Sequence, residues 1–392
     1  MCRSRIIRVC RELMVRQYGQ RNAPKAMMEE AGSVLDQGVL TIAFARRFAS
    51  YKRAHLLLQD PNRLKALLRS ETRPVQIIFA GKAHPKDHDG KMMIQHLSNF
   101  IRQEKLGHRI IFLENYDMQL SRYLVQGADA WLNTPRRPLE ACGTSGMKAA
   151  LNGVLNVSVL DGWWCEGYDR SRGWAIGDGS EYQDPAYQDA VESQALYNLL
   201  ENEVIPCFYE RKGGGSPGRW LKMMKESMKI ALKEYSGFRM VNEYEKRFYR
   251  LAAYSHNDLL EGGACKAQDL VRQAERLKTL WKDIRIEQPV RDAEGPFRVG
   301  DKFHASVKVS LGQLLPEEVD VELYYGHVKT FDVIADGRAE SMQVEQELGG
   351  GKYLYSCSIS CGMSGRFGFT ARVTPRAGHW IKNRPGFITW SK

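Results

Sequence analysis

The sequence of 392 residues is 43% hydrophobic and 26% charged, a composition typical of a globular protein with two or three domains. No stretch has the apolar length of a transmembrane helix, and the first residues lack the apolar run of a signal peptide; we therefore predict a cytoplasmic protein that makes no membrane contact. The net charge of +11 allows anionic partners, but the basic residues are dispersed and form no nucleic-acid-binding motif, so we predict no nucleic-acid partner.

The N-terminal part of the chain alternates short apolar runs with helical patterns. After a helical segment over 1–37, the predicted strands are 38–45, 75–81, 109–116, 128–133, 154–162 and 173–177. Helical patterns follow the first two runs over 51–68 and 90–103. Because apolar strands separated by helices are typical of a parallel sheet covered on both faces, we predict a doubly wound α/β, Rossmann-like domain.

Beyond residue 184 the pattern changes twice. Residues 184–286 are mostly helical, with a Gly/Ser/Pro break at 213–218. The runs 303–311, 319–325, 352–360 and 366–373 then alternate apolar and polar residues. This alternation predicts an antiparallel β-sandwich. The predicted segments are thus a helical segment (1–37), the Rossmann-like domain (38–260), a linker helix (261–287) and the sandwich (288–392).

The eight cysteines predict neither a disulfide framework nor a zinc cluster. They form no CxxC pair, and the closest two, Cys357 and Cys361, fall within one predicted strand and turn. In a cytoplasmic protein reduced thiols are expected. His84 and His88 have the spacing of a metal-binding pair, but they lie in a loop without an evident third ligand, so we predict no metal site.

A basic segment, ARRFASYKR (45–53), directly follows the first predicted strand. Arg46, Arg47, Lys52 and Arg53 could converge on one phosphate there, together with backbone amides at a helix start. Charge alone favours the alternative, a solvated basic loop. Trp163 and Trp164 follow a later strand and pose a similar choice between stacking on a sugar and packing under a loop, and the pattern favours packing.

The segment EACGTSGMKAALNG (140–153) carries Lys148, the only charged side chain between Ala141 and Leu160. Small residues before it would let backbone amides approach a phosphate, although the spacing is not that of a Walker A motif. A lysine amine withdrawn from water is more readily neutral and could form a Schiff base. A structural lysine lining a crevice explains the pattern equally well.

Five stretches resemble, in order and spacing, the C-terminal half of the α-glucan phosphorylases, the family of glycogen, starch and maltodextrin phosphorylases. They are ARRFASYKRAHLLL, PVQIIFAGKAHP, IIFLENYDM, LNTPRRPLEACGTSGMKAALNG and VLNVSVLDGWWCEGYD. The resemblance is strongest to the short bacterial forms, some of which carry a C-terminal extension like this sandwich. It implies the second Rossmann-like domain of a GT-B architecture, with the first domain outside this chain.

The resemblance also implies an activity and a cofactor. These enzymes cleave α-1,4-glucans with inorganic phosphate to give α-D-glucose 1-phosphate, and they use the phosphate of pyridoxal 5′-phosphate. Lys148 matches the lysine to which the cofactor is covalently attached. The other cofactor-binding residues implied are Gly143, Thr144, Ser145, Lys52 and Tyr116.

The same resemblance implies the substrate contacts. Lys52 would lie between the cofactor phosphate and the substrate phosphate, and Arg47 would bind the substrate phosphate. Glu140, with the backbone at Cys142 and Gly143, would contact glucose hydroxyls. Together with Lys148, Arg47 and Lys52 are the predicted catalytic residues. Cys142 replaces the serine of many relatives, a small change if mainly its backbone is used.

Two alternatives stay open at the level of sequence. A sugar-nucleotide glycosyltransferase of the same architecture would use Arg47 and Lys52 to bind a nucleotide diphosphate, without a Schiff base. A non-catalytic glucan-binding fragment would act through the sandwich. For the phosphorylase, the expected partners are α-1,4-glucan, inorganic phosphate, and either a separate first-domain half or a second copy of the chain.

Overall fold

A computed structural model describes residues 2–210, 217–329, 333–362, 364–382 and 384–391. The chain divides into two compact units, Met1–Tyr244 and Glu245–Lys392. The predicted division into four segments is not decided by this boundary and stays a prediction. Apart from Pro217 and Gly218, the predicted break at 213–218 lies outside the described residues.

The first unit contains a six-stranded parallel sheet in the order β3-β2-β1-β4-β5-β6. The strands are β1 (Leu40–Ala45), β2 (Val75–Ala80), β3 (Ile110–Leu113), β4 (Ala130–Asn133), β5 (Leu155–Val159) and β6 (Gly173–Ile176). Every residue of β1, β2, β4 and β5 is buried, because helices cover both faces of the sheet. The predicted doubly wound fold is therefore confirmed, and each predicted strand coincides with an observed one.

Helices precede, connect and follow these strands. They are α1 (Cys2–Gln20), α2 (Lys25–Ala31), α3 (Pro61–Arg69), α4 (His88–Gln103), α5 (Met118–Gly127), α6 (Thr144–Leu151), α7 (Trp164–Gly167), α8 (Pro185–Leu199), α9 (Ile205–Tyr209), α10 (Gly218–Glu234) and α11 (Gly237–Tyr244). Several begin at an aspartate whose carboxylate accepts a backbone N–H of the first turn, as Asp87 does from Gly90 at 2.9 Å. Helix α1 buries Ile6, Ile7 and Cys10 against one face of the sheet.

The helical pattern predicted over 51–68 corresponds to three separate helical elements. Residues Ser50–Lys52 and Leu56–Leu58 form separate single 3₁₀ turns, and the α-helix starts only at Pro61. Arg53 adopts φ +48°, a left-handed conformation that ends the first turn. The Asp60 carboxylate accepts the Arg63 N–H at 3.0 Å and caps the helix.

The second unit consists of a long helix and two antiparallel sheets. Helix α12 (Arg250–Leu280) is interrupted by non-helical backbone over 261–264. The strands are β7 (Arg285–Ile286), β8 (Val290–Arg291), β9 (Lys302–Ser310), β10 (Val319–Lys329), β11 (Val333–Ser341), β12 (Gln343–Gly349), β13 (Lys352–Ser360), β14 (Phe367–Pro375) and β15 (Thr389–Trp390), and a short helix α13 (His379–Lys382) precedes β15. One sheet has the order β11-β10-β14-β15 and the other β12-β13-β9-β7, with β8 paired to β9.

The two sheets share one core, which confirms the predicted sandwich. Val307 and Val309 of one sheet and Val321 and Leu323 of the other are buried in the same apolar cluster. Strands β11 and β12 were not predicted, since β12 is exposed along its whole length and lacks the alternation of a half-buried strand. Within the described residues, no helix has the length and apolarity needed to cross a membrane.

Candidate functional site

The candidate site lies where the strand order of the first unit reverses. Strands β1 and β4 are neighbours in the sheet, although β2 and β3 lie between them in the sequence. In doubly wound folds ligands bind at such a switch point, outside the carboxyl ends of the strands. The segments that follow β1 and β4 carry the predicted residues of the basic loop and of the Glu140–Lys148 segment.

Three charged side chains meet at this point. Arg46 Nη2 donates to Glu140 Oε2 at 2.8 Å, and Lys52 Nζ donates to the same oxygen at 2.9 Å. Arg46 Nη1 also donates to Asn133 Oδ1 at the end of β4. Arg46, Lys52 and Glu140 are each at most 9% exposed. The solvated-loop interpretation is therefore wrong for Arg46 and Lys52, while Arg47 between them is exposed.

This cluster holds more positive than negative charge. Among the side chains in mutual contact, two cations share one carboxylate. Burial lowers the pKa of the Arg46 guanidinium, and Glu140 only opposes that shift. Arg46 Nε has no hydrogen-bond acceptor within the described part of the chain, although the atom is buried. A buried donor beside an uncompensated cation fits an anionic ligand.

Glu140 is fixed from the backbone side as well. Its N–H donates to Asp161 Oδ2 at 2.9 Å, and Asp161 follows β5. Asn133 Nδ2 donates to Ser158 Oγ at 3.0 Å, which joins β4 to β5. The polar ends of three neighbouring strands thus hold the carboxylate in place before any ligand binds.

A second ionic cluster ties the loop after β1 to the loop after β4. Arg53, which is fully buried, donates to Thr134 O at 3.0 Å and to Pro135 O at 2.7 Å. It also donates to Asp189 Oδ1 at 3.0 Å and to Glu192 on α8. The Thr134 hydroxyl in turn donates to Lys52 O at 3.1 Å. Arg53 is therefore a structural member of the basic loop that positions Lys52.

The start of α6 is shaped for close approach. Gly143 precedes the helix with φ +82°, a conformation that favours glycine, and the first-turn N–H groups of Thr144 and Ser145 have no intrahelical acceptor. At Gly146 an added Cβ would lie 2.6 Å from Asn156 Oδ1, so a larger residue would push the helix off β5. The buried Asn156 Oδ1 has no hydrogen-bond donor in the described chain. The first-turn N–H groups of Thr144 and Ser145 fit a phosphate group at the helix start, whereas the Asn156 oxygen is an acceptor and would need a donor instead.

Lys148 lies on α6 with its side chain exposed. No hydrogen bond or ion pair of its amine is found among the described residues, whereas its carbonyl accepts Asn152 Nδ2 at 2.8 Å. The expectation that the amine is withdrawn from water is therefore not met by this chain alone. An exposed amine without a partner remains accessible to an aldehyde.

The remaining predicted residues surround the cluster loosely. Tyr116 is half-buried and donates to Ser121 Oγ at 3.0 Å. Burial raises the pKa of its phenol, and the hydrogen bond to Ser121 and the charge of Arg46 partly offset that rise. The Cys142 side chain is exposed, while its carbonyl accepts the Trp163 N–H at 2.8 Å. At Gly162 an added Cβ would lie 2.5 Å from that carbonyl oxygen.

The two tryptophans pack inside the protein. Trp163 and Trp164 are at most 4% exposed, with ring centroids 5.0 Å apart, and Trp164 Nε1 donates to Trp174 O at 3.1 Å. The packing interpretation therefore describes both rings. His84 Nδ1 accepts the Lys86 N–H at 3.1 Å, and the described residues contain no group of three potential metal ligands.

Asn133, Asn156 and Asp161 were not among the site residues predicted from the sequence. Each lies in or directly after a buried parallel strand, where a polar side chain is unusual. At Asn133 and Asp161 that position is the signal that could have indicated them, because the carboxyl ends of such strands form the binding edge of the sheet, whereas Asn156 lies near the amino end of β5.

The fold and site define a doubly wound α/β domain with a buried cluster of two cations and one carboxylate at its switch point, followed in the sequence by an antiparallel sandwich. Residues 9–170 match the family model described as carbohydrate phosphorylase, and residues 281–392 match that of the glycogen phosphorylase C-terminal domain. The chain belongs to the α-glucan phosphorylase family, which confirms the resemblance.

Curated relatives agree with this assignment. Maltodextrin phosphorylase of Thermococcus litoralis is 43% identical over 88% of this chain and 40% of its own length. Glycogen phosphorylase of Mycobacterium tuberculosis is 39% identical over 95% of this chain and 44% of its own. Glycogen phosphorylase of Aquifex aeolicus is 50% identical over 58% of this chain and 32% of its own. The chain thus spans less than half the length of these relatives.

Proposed function

We propose that this chain is the cofactor- and phosphate-binding half of an α-glucan phosphorylase with a GT-B architecture. The reaction is phosphorolysis of an α-1,4-glucan, in which inorganic phosphate replaces the glycosidic oxygen at C1 and α-D-glucose 1-phosphate is released. The observation that carries the proposal is the excess of buried positive charge formed by Arg46, Lys52 and Glu140 in a chain of this family. The relatives' names, maltodextrin and glycogen phosphorylase, support the glucan as substrate.

The start of α6 and the cluster beside it are the proposed site of pyridoxal 5′-phosphate. When bound, this group supplies a phosphate that takes part in proton transfer with the substrate phosphate. The N–H groups of Thr144 and Ser145 would bind the cofactor phosphate, with the glycine backbone at Gly143 leaving room for it. Lys148 offers the accessible amine to which the aldehyde would attach. Tyr116 borders this region from the segment after β3.

The substrate phosphate would be held by Arg47 and Lys52. Arg47 is exposed and can present a bidentate guanidinium to an incoming phosphate. Lys52 is buried and fixed between Glu140 and the Tyr51 ring, whose centroid lies 4.6 Å from Nζ. Two phosphates repel each other, and cations already held in place lower that repulsion without reorganisation. Glu140 and the backbone at Cys142 and Gly143 would form hydrogen bonds with glucose hydroxyls.

The cleft would have a second wall that this unit does not supply. The matched relatives are more than twice as long as the matched part, and we propose that the wall corresponds to the part of those relatives that this chain does not cover. We place the enzyme in the cytoplasm, where glucan and inorganic phosphate are its partners.

Cofactor attachment provides the direct test. Purified chain incubated with pyridoxal 5′-phosphate should develop near-ultraviolet absorbance, and borohydride should fix the added mass on the peptide that contains Lys148. Lys148→Ala should abolish fixation, whereas Lys222→Ala, which removes an exposed helical lysine elsewhere, should leave it unchanged. Fixation spread over many lysines would contradict a specific site.

The reaction product distinguishes an α-glucan phosphorylase from a sugar-nucleotide glycosyltransferase. Maltoheptaose and inorganic phosphate should yield glucose 1-phosphate, with the relatives' missing half supplied if the chain alone is inactive. Transfer from a sugar nucleotide, without fixation at Lys148, would instead identify a glycosyltransferase.

A further inference from the structure

The outer face of the sheet β11-β10-β14-β15 carries a trough of about 540 Å³. Gly368, which pairs with Gly326 across β14 and β10, is one of its lining residues. An added Cβ at Gly368 would lie 2.7 Å from Val328 Cγ2, so a larger residue there would occupy the trough. The missing side chain at Gly368 therefore keeps this part of the trough open.

Two aromatic rings form one wall of this trough. Tyr324 and Trp390 pack edge to face, with ring centroids 5.6 Å apart, and Trp390 is 41% exposed. The Arg372 guanidinium lies 5.5 Å from the Tyr324 centroid and 5.2 Å from the Trp390 centroid, and stiffens both rings. A preformed aromatic surface binds ligands with little loss of side-chain entropy.

Two arginines lie at this trough: Arg366 is among its lining residues, and Arg372 lies beside the aromatic wall. Arg372 Nε donates to Glu322 Oε2 at 2.8 Å, so the cation beside the rings has its own carboxylate. Polar side chains nevertheless line the trough, including Thr370 and Gln288. Aromatic faces beside hydrogen-bonding side chains, including Arg366, suit a hydroxyl-rich ligand that packs on a ring and hydrogen-bonds at its edge.

We propose that this trough is a carbohydrate-binding site that holds an α-1,4-glucan away from the reaction centre. The C–H faces of a glucose ring are apolar and pack on aromatic rings, while its hydroxyls need donors and acceptors at the edge. The volume exceeds that of one sugar unit and accommodates a short stretch of chain. The choice of an α-1,4-glucan among carbohydrates rests on the proposed function, whereas the site itself does not.

Affinity electrophoresis of the whole chain in native gels containing glycogen tests the site. Trp390→Ala and Tyr324→Ala should each weaken glycogen retardation by about 3- to 10-fold, the loss expected for one aromatic contact. Tyr324→Phe keeps the ring and should retain most of the retardation. The double variant Val344→Ala/Leu348→Ala removes exposed apolar side chains from the other sheet and should have no effect.

Circular dichroism shows whether each variant is folded, and a folded Tyr324→Ala chain suffices if Trp390→Ala is unstable. Unchanged retardation in the folded aromatic variants would overturn the site. Equal retardation of the wild type by dextran would overturn the preference for α-1,4 linkages. Lys148→Ala should be retarded like the wild type. Retardation that depends on Trp390 in a chain that does not fix pyridoxal 5′-phosphate at Lys148 would support the trough and reject the proposed function.

Discussion

Two buried ionic clusters lie side by side in the first unit and differ in their charge balance. The first consists of Arg53, Arg136, Asp189 and Glu192, and the second of Arg46, Lys52 and Glu140. In the first, two guanidinium groups meet two carboxylates, and Arg53 also satisfies two backbone carbonyls. In the second, one carboxylate serves two cations, and a buried guanidinium N–H has no acceptor in the described chain.

This difference in charge balance gives neighbouring residues of the loop after β1 different roles: Arg53 is structural, and Lys52 belongs to the proposed binding cluster. A balanced, fully hydrogen-bonded cluster needs no ligand, and removing one member leaves uncompensated buried charge. An unbalanced cluster is completed by an anion, so its stability should depend on what is bound. Arg47, Lys52 and Arg53 look alike in the sequence, yet they are respectively exposed, part of the unbalanced cluster and part of the balanced one.

The largest effect is expected from Arg53→Met. The change leaves Asp189 and Glu192 buried with too little positive charge, and should lower the free energy of unfolding by about 3–5 kcal/mol. Urea denaturation at pH 7 measures it. Arg21→Met, which breaks an exposed ion pair to Glu114, is the control and should cost at most about 1 kcal/mol. Equal losses in the two variants would show that the Arg53 cluster is not the structural one.

Asp189→Asn tests the balanced cluster through pH. Burial alone raises the pKa of Asp189, but hydrogen bonds from His55 and Arg53 and nearby positive charge outweigh it and lower the pKa to about 2. Because the pKa is lower in the folded state, the stabilisation is present above the ordinary value near 3.8 and is lost as the pH falls toward about 2. The shift corresponds to about 2 kcal/mol at neutral pH.

The expected result is a gap in unfolding free energy between wild type and Asp189→Asn that is largest at pH 7 and narrows from about pH 4 to pH 2. Urea titrations at several pH values give this profile. Glu71→Gln, which changes an exposed carboxylate, should show no such gap. A gap that does not vary with pH would mean that the Asp189 charge is not what stabilises the cluster.

Sequence patterns predicted the sheets better than they predicted these clusters. Strands such as β1 and β2 are continuous apolar runs, and their burial on both faces follows directly from that pattern. The helical pattern over 51–68 did not show that this segment divides into two 3₁₀ turns and an α-helix, although Asp60-Pro61 is a recognisable helix start within it. Strand β12 was missed because it is exposed and polar throughout.

Residue patterns alone indicated the site only within single segments, and the family resemblance was needed to join residues such as Lys52 and Glu140. The partners of Arg53 on α8 are more than 130 positions away, so no local spacing links them. Likewise, Arg46 and Glu140 meet only because β1 and β4 are neighbours in the sheet. Sequence reasoning could indicate a cationic loop, but the assignment of each cation to its carboxylate needed the topology.

Inorganic phosphate should bind the unbalanced cluster and raise the free energy of unfolding, by less than Arg53→Met or Asp189→Asn should lower it. At ten times the dissociation constant, one bound phosphate raises the free energy of unfolding by about 1.4 kcal/mol. Thermal unfolding with phosphate, compared with sodium chloride at equal ionic strength, measures the shift. Lys52→Met should abolish it, since the second cation of the cluster is removed. A phosphate shift that persists in Lys52→Met would place the anion elsewhere.

The smallest effect on stability is expected from Lys148→Ala, although its functional effect should be complete. The side chain is exposed, and alanine is at least as good a helix former as lysine, so the free energy of unfolding should change by less than about 0.5 kcal/mol. Urea denaturation without pyridoxal 5′-phosphate provides the measurement. A loss above about 2 kcal/mol would indicate that the amine has a buried partner, because only such a contact has that magnitude. If the stability is unchanged, loss of pyridoxal fixation in the same variant reflects the missing amine alone. Lys148 would then have a role distinct from both ionic clusters: it acts through an exposed amine, whereas Arg53 stabilises the fold through a buried guanidinium.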